Sequence, residues 1–340
     1  RPTMLVAVPR IFNRIYDGLH KKMAQESPLK RRLFAAAMAT AHERKVLAGR
    51  GESNTWLNLK FKLLDRLVGA KVRARFGGRL RYAISGGAGI SRAVADFIDD
   101  LGIQVYEGYG LTETSPIATA NAPGHRKIGS VGRALPGTRI EIDLAATDDP
   151  EQGEIIVHGH NVMKGYNGLP EEDSKVFTAD GGLRTGDMGR LDDDGYLYIT
   201  GRIKEQYKLE NGKYVVPSPI EEQLKLSPFI SNVMLYGSNR PFNIALVVPD
   251  RETLLVWAKT EGLPVNDYDA LLRDAKVHTL IEAELKEQSK EIRHYEQVRK
   301  FNLLSEDFTV DNEMLTPSLK LKRRIVIKAY GDHIDALYGS

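Results

Sequence analysis

Residues 80–110 read LRYAISGGAGISRAVADFIDDLGIQVYEGYG, and the alternation inside them decides the fold. LRYAIS has strand character, GGAGI is a turn of small residues, and Ser91 opens a helix whose apolar positions Val94, Phe97, Ile98 and Leu101 recur at helical spacing and point inward. IQVYEGYG then repeats strand and loop. Strands joined through a helix imply a parallel or mixed sheet, with functional loops at the carboxyl ends of its strands.

Outward from this unit, TMLVAV (3–8) reads as a short strand stopped by Pro9, followed by a helix with Ile11, Ile15 and Leu19 on one face. Between residues 28 and 76, Leu33, Phe34, Ala37, Met38 and Ala41, and later Leu59, Leu63, Leu64 and Leu67, mark two helices joined by a mobile polar loop, GRGESN at 49–54. Residues 129–200 change texture. Short alternating runs, TRIEID, GEIIVHG and GYLYIT, punctuated by Gly, Pro and Asp, predict a small antiparallel, barrel-like subdomain. Past GRIKEQ, the strands VMLYGS and IALVVPD mix with long charged helices between Arg251 and Glu291, giving a separate α+β domain. The expected fold is α/β plus α+β, with residues 1–201 as one large domain that contains the 129–200 subdomain. Residues 202–340 form the second domain, and the boundary lies at Arg202–Glu205.

At 340 residues, 42% hydrophobic and 27% charged, the chain has the composition of a globular protein with room for about two cores. A net charge of +3 spread over this length gives no concentrated basic face, which argues against a nucleic-acid partner. The clusters KRR (30–32) and KVRAR (71–75) read as solvated helix faces. With no cysteine, disulfides, thiol catalysis and cysteine metal sites are excluded. The eight histidines show no metal spacing and no Ser-His-acid set, so hydrolase and metalloenzyme readings are poor. No apolar run approaches the roughly 18 residues of a membrane span. The expectation is a cytoplasmic protein, with membrane contact limited to a peripheral one at the inner face through the basic amphipathic stretch 29–75.

Two segments carry chemistry. YEGYGLTETSP (106–116) gathers an aromatic ring, a hydroxyl and a carboxylate within five residues, Tyr109, Thr112 and Glu113. GDMGRLDDDGYLYITGRIKEQYKLENG (186–212) supplies Asp187 and then the basic cluster Arg202, Lys204 and Lys208. An aromatic face can stack a purine, one carboxylate can help hold magnesium, and another can accept from ribose hydroxyls, so the pattern points to an ATP site. Ser85, Gly86, Gly87 and Ala88 sit where a strand turns into a helix, a place where small residues let a ligand approach free backbone amides. The acidic run Asp192–Asp194 before Gly195 reads as a hairpin turn rather than a metal site.

These segments resemble the core motifs of the AMP-forming acyl-CoA synthetases and related adenylate-forming enzymes. PTMLVAVPRIFNRIYDGL (2–19), SGGAGIS (85–91) and LTPSLKLKRR (315–324) resemble the long-chain fatty acid CoA ligase branch, and the resemblance runs from Pro2 to about Tyr330. The family's Ser/Thr/Gly-rich phosphate loop ending in Pro-Lys-Gly does not occur in this sequence. The expectation is therefore the C-terminal portion of a larger enzyme, impaired when isolated.

The resemblance implies roles for individual residues. Tyr109 and Gly110 would lie against the adenine, Thr112 at the phosphates, Glu113 on magnesium, and Gly86, Gly87 and Ala88 beside the nucleotide and acyl group. Asp187 would hold the ribose, with Arg202 sharing ribose or phosphates. Lys320 in TPSLK matches the family's closing lysine, which neutralises charge at the α-phosphate; the related motif has Gly where Leu319 stands. Lys322, Arg323 and Arg324 are expected as surface charges. Lys204 matches the hinge about which the smaller domain swings, carrying the loop at Gly212 toward CoA, while Lys208 meets nucleotide in one of the two poses. The implied substrates are a long-chain fatty acid, ATP and CoA, with Mg2+ as cofactor. Two other readings stay open: transfer of the acyl group to a carrier protein or an amine, and a nucleotide-binding fragment without catalysis.

Overall fold

The computed structural model describes every residue except Ala88, Asp148, Ser318 and Ser340. It divides into two compact units, Arg1–Thr200 and Gly201–Ser340.

In the first unit, β1 (Met4–Ala7) leads into α1 (Pro9–Ala24), which Pro9 opens at a position where no backbone donor is lost. Next come α2 (Pro28–Gly49) and α3 (Thr55–Leu64), the latter capped by the Asn54 side chain, which accepts from the Leu57 amide. α3 runs on through a π turn (Asp65–Gly69) into α4 (Ala70–Arg75). β2 (Tyr82–Ser85), α5 (Arg92–Asp100) and β3 (Gln104–Tyr109) realise the strand–helix–strand unit, and the Ser91 hydroxyl caps α5 by accepting from Val94 at 3.3 Å. β1, β2 and β3 pair in parallel; the short β4 (Thr119–Ala120) and β5 (Arg133–Ala134) extend the sheet antiparallel, in the order β1-β2-β3-β4-β5.

The buried face of α5 carries Val94, Ile98 and Leu101, and Phe97 packs edge-on against Tyr16 of α1. In α1 the inward residues are Phe12 and Leu19, while Ile11 is exposed. The inward stripe is thus set by Phe12, one position on from Ile11, because a neighbour in a helix lies about 100° away and the larger ring takes the core.

The chain then forms a four-stranded antiparallel sheet, β6 (Thr138–Asp143), β7 (Gly153–Gly159), β8 (Leu183–Leu191) and β9 (Leu197–Arg202), with α6 (Pro170–Val176) between β7 and β8; the last two residues of β9 already belong to the second unit. The expected barrel-like subdomain is corrected to an open sheet: among the described residues no closed barrel forms, and four strands are too few to curl round a filled core. Its core is Ile155, Val157 and Leu197, joined by Ala118 and Val131. Asp192–Asp194 does form the β8–β9 turn, where the Gly195 amide donates to the Asp192 carbonyl and Lys127 bridges the Asp192 and Asp194 carboxylates at 2.6 Å each.

The second unit opens with a hairpin, β10 (Tyr207–Lys208) and β11 (Tyr214–Val215), followed by α7 (Pro217–Leu224). β12 (Ile230–Tyr236) and β13 (Asn243–Pro249) pair antiparallel. Then come α8 (Arg251–Thr260), α9 (Tyr268–Leu272), α10 (Ala275–Gln288) and β14 (Val298–Leu303), which pairs parallel to β13. α11 (Arg323–Ala329) and α12 (Gly331–Tyr338) close the chain. The central strand β13 is buried along its whole length because both of its faces are covered. Ala245 and Val247 join a core with α7, α8 and α10, and Ile244, Leu246 and Val248 join one with Phe308, Val326 and Ile334.

Candidate nucleotide site

The first unit assembles its candidate site at the carboxyl ends of β2 and β3. Gly86 follows β2 directly; a Cβ there would lie 3.9 Å from the Gly108 carbonyl of β3, so this turn runs alongside YEGYG. Gly87 has φ +84°, a left-handed conformation that favours glycine. Ala88 lies outside the described residues.

Beyond β3 the chain folds back on itself. A Cβ on Gly110 would come within 2.1 Å of the Pro116 carbonyl oxygen, so only glycine admits this approach. Thr112–Thr114 form one 3-10 turn, locked by buried Thr114: its hydroxyl accepts from the Leu111 amide at 2.8 Å and donates to the Leu111 carbonyl at 3.0 Å. Segment 161–166 holds the loop from outside. The Asn161 amide donates to the carbonyls of Thr114 (3.2 Å) and Ile117 (3.0 Å), and the Met163 amide donates to that of Glu113 at 2.8 Å. Thr112 is left exposed and Glu113 half-buried at the rim.

One contact links the two motifs, and a second ties the first of them to the 161–166 segment. Tyr109 donates its hydroxyl hydrogen to Asp187 Oδ2 at 2.8 Å across 78 positions of sequence, joining β3 to β8 of the other sheet. Asp187 is buried, and its amide donates to the Thr185 hydroxyl at 3.1 Å. This bond fixes the ring by its edge, and stacking on a purine uses the face. Tyr166 donates to Glu113 Oε1 at 2.9 Å, and burial, followed by this hydrogen bond and the neighbouring carboxylates, raises the phenol's pKa. Among the described residues no cluster of three or more His, Asp or Glu could cage a metal. A lone Glu113 fits a magnesium ion that takes its remaining oxygens from phosphate and water.

Glu107 was not singled out by sequence. It is buried in β3, and burial raises its carboxyl pKa to about 7 against the opposing pull of the Ile90 and Gly129 amides. Its register partner on β2 is Ser85, also buried, whose hydroxyl finds no partner among the described residues. The available signal was an acid inside the otherwise apolar run IQVYEGY. Tyr166 offered none, since a tyrosine in a Gly-Asn loop has no pattern of its own.

The second unit carries the remaining candidates. Arg202 and Lys204 are exposed at its start, Lys204 within a 3-10 turn, Ile203–Glu205. Lys208 and Gly212 share the β10–β11 hairpin: Gly212 has φ +83°, and Lys208 Nζ lies 5.0 Å from the Tyr214 ring centroid. Lys320 is exposed at the end of a tight turn in which the Thr316 amide donates to the Lys320 carbonyl at 2.8 Å and the Lys320 amide to the Thr316 hydroxyl at 3.0 Å. Leu319 has φ +63°, the reason a glycine suits this position.

Arg323 corrects the sequence expectation of a surface charge. Its guanidinium grips the Glu221 carboxylate with both terminal nitrogens, Nη1 at 2.7 Å, and Nη1 also donates to the Leu235 carbonyl at 3.3 Å. Glu221 in turn accepts from the Leu235 amide at 2.6 Å. Arg323 Nε stands 3.8 Å from Glu205. α11 therefore starts from a buried ion pair three residues after Lys320, a contact 102 positions long that periodicity could not reveal.

Comparison with known proteins gives a consistent picture. Residues 1–167 match the model of the AMP-binding enzymes and residues 204–340 that of the AMP-binding enzyme C-terminal domain. The chain is 38% identical to a long-chain-fatty-acid–CoA ligase of Mycobacterium bovis, over 99% of its own length and 55% of the relative's. It is 33% identical to human long-chain-fatty-acid–CoA ligase 1, over 100% and 48%. The chain thus spans about half the length of the curated relatives it matches. Among solved structures, the adenylation domain of a carboxylate reductase from Mycobacterium chelonae superposes with TM-score 0.74 at 27% identity, over 100% of this chain and 47% of that one. A didomain of a carboxylic acid reductase from Segniliparus rugosus, in complex with AMP, gives 0.69 at 25%, over 99% and 41%.

Proposed function

The chain belongs to the AMP-binding, adenylate-forming enzymes, and from that premise we propose that it is part of a ligase that activates a long-chain fatty acid with ATP and passes the acyl group to CoA. The observation that supports this reading most directly is the Tyr109–Asp187 hydrogen bond, which brings the two distant motifs into contact. The ligase names of the relatives support the substrate class.

In the first half-reaction the fatty carboxylate oxygen attacks the α-phosphorus, a P–O bond breaks, and pyrophosphate leaves with that electron pair. Tyr109 presents its ring to adenine, Asp187 and Arg202 hold the ribose, Gly86 and Gly87 let nucleotide and acyl group approach the backbone, and Thr112 contacts phosphate. Glu113, its Oε1 steadied by Tyr166, would hold magnesium, which supplies positive charge to the phosphates when bound. Lys320 stabilises the negative charge that grows on the α-phosphate and bridging oxygen. In the second half-reaction the CoA sulfur attacks the acyl carbon, the thiol proton passes to solvent, and AMP departs. On this reading Lys204 is the hinge residue, Lys320 serves the first half-reaction, and Lys208 and Gly212 serve the second.

A second reading follows from the carboxylate reductase likeness: the same acyl-AMP delivered to a carrier protein. One experiment addresses both. The natural full-length protein is given ATP, CoA and fatty acids of graded length, with and without Lys320→Ala, and products are read by mass spectrometry. The expected outcome is acyl-CoA, with acyl-AMP formation lowered at least 100-fold or so in the variant. Acyl-AMP without thioester would favour the carrier-protein reading; full adenylation by the variant would remove Lys320 from the chemistry.

A further inference from the structure

α3 carries two separate apolar faces, one turned inward and one outward. Inward, Leu57 and Leu64 are buried and the helix packs on α2. Outward, Trp56, Leu59 and Leu63 of α3 and Leu67 of the π turn are 71%, 60%, 61% and 41% exposed. Their spacing of three and four places them on one stripe about three turns long. Lys60 and Lys71 flank the stripe on one side, Lys62 and Arg66 on the other, and all four are exposed. Asp65, the one acid among the described residues 55–69, lies off this face and is held by Arg73 at 2.7 Å.

We propose that this face docks on an anionic lipid surface. The stripe is convex, the side of a single helix, which suits a deformable interface better than it suits the rigid groove of a protein partner. Trp and Leu enter the boundary between headgroups and acyl chains, while the flanking cations reach up to anionic headgroups on long aliphatic stems. A second copy fits poorly, because isologous pairing would set Lys60, Lys62 and Arg66 against their own images. The inference is independent of the proposed reaction and asks only how the protein meets a surface on which fatty acids partition.

The test is flotation of the natural full-length protein with phosphatidylcholine vesicles, with and without phosphatidylglycerol. The parent is compared with Leu59→Ser/Leu63→Ser and with Lys60→Glu/Lys62→Glu/Arg66→Glu, and thermal midpoints are taken alongside. The expected result is flotation that requires phosphatidylglycerol, weakens as salt rises, and falls at least about tenfold in either variant while the midpoints hold. No flotation, or variants that float like the parent, overturns the proposal. A lowered midpoint in the leucine variant also overturns it, since it would show the stripe packed against another part of the protein; so does self-association that the variant abolishes.

Discussion

At the scale of single residues, the most informative group is Glu107. Its folded pKa is raised to about 7 by burial, so between its unfolded value near 4.5 and pH 7 the native state binds more proton than the unfolded chain. Stability from this group is therefore present at low pH and lost as pH rises through that window, the reverse of a salt-bridged carboxylate. Glu107→Gln should remove the loss: the difference in thermal midpoint between variant and parent grows from pH 5 to pH 8, by an amount equivalent to ~1–3 kcal/mol. A difference that does not change with pH would show that the carboxyl is not desolvated as described. Leu319 carries a second residue-scale prediction. Its left-handed backbone is strained for leucine, and its side chain is half-exposed, so Leu319→Gly relieves more than it forfeits. The expected gain is about 0.5 kcal/mol after the added freedom of glycine in the unfolded chain, read from a urea midpoint. A loss of that size would show the side chain to be an anchor.

At the scale of elements, the ends of helices and strands decide what they present. α11 is tied to α7 and β12 by Arg323, whose guanidinium meets both Glu221 oxygens and the Leu235 carbonyl. Removing one partner of such a pair leaves a buried charge, so Arg323→Met should destabilise the second unit by about 3–5 kcal/mol, and adding Glu221→Gln should recover part of that. A double variant no better than the single one would mean that packing of the arginine stem, not charge, holds α11. The β3–β4 connection shows the same principle without charge: Gly110 admits the Pro116 carbonyl, Thr114 closes the 3-10 turn, and Thr112 and Glu113 are thereby set at the rim. GYGLTE was legible as a loop in the sequence. Its grip by Asn161, Met163 and Tyr166 was not, because those bonds span roughly fifty positions and depend on how β7 leaves its sheet.

At the scale of the molecule, each unit is built on β-sheets, and the way those sheets are covered explains what could be read beforehand. Strand–turn–helix–strand at 80–110 fixed a parallel core, since helical and strand periods in alternation admit few arrangements and the Ser91 cap sets where α5 begins. IALVVPD likewise read as a strand, and the structure shows it covered on both sides. Composition excluded cysteine chemistry, and Tyr109, Thr112, Glu113, Asp187 and Lys320 were proposed from the family resemblance, because local patterns of residue type survive in one dimension. Other features existed only after folding. The four-stranded sheet stayed open where alternation alone suggested a barrel, because alternation reports two faces and says nothing of closure. Phe12 displaced Ile11 from the core of α1, Arg323 left the surface for Glu221, Glu107 became a carboxyl titrating near neutrality, and Tyr109 found Asp187. Each of these depends on which distant group arrives alongside and how much water it excludes. A pattern of residues along the chain encodes period and type; distance, burial and partner are set by tertiary packing.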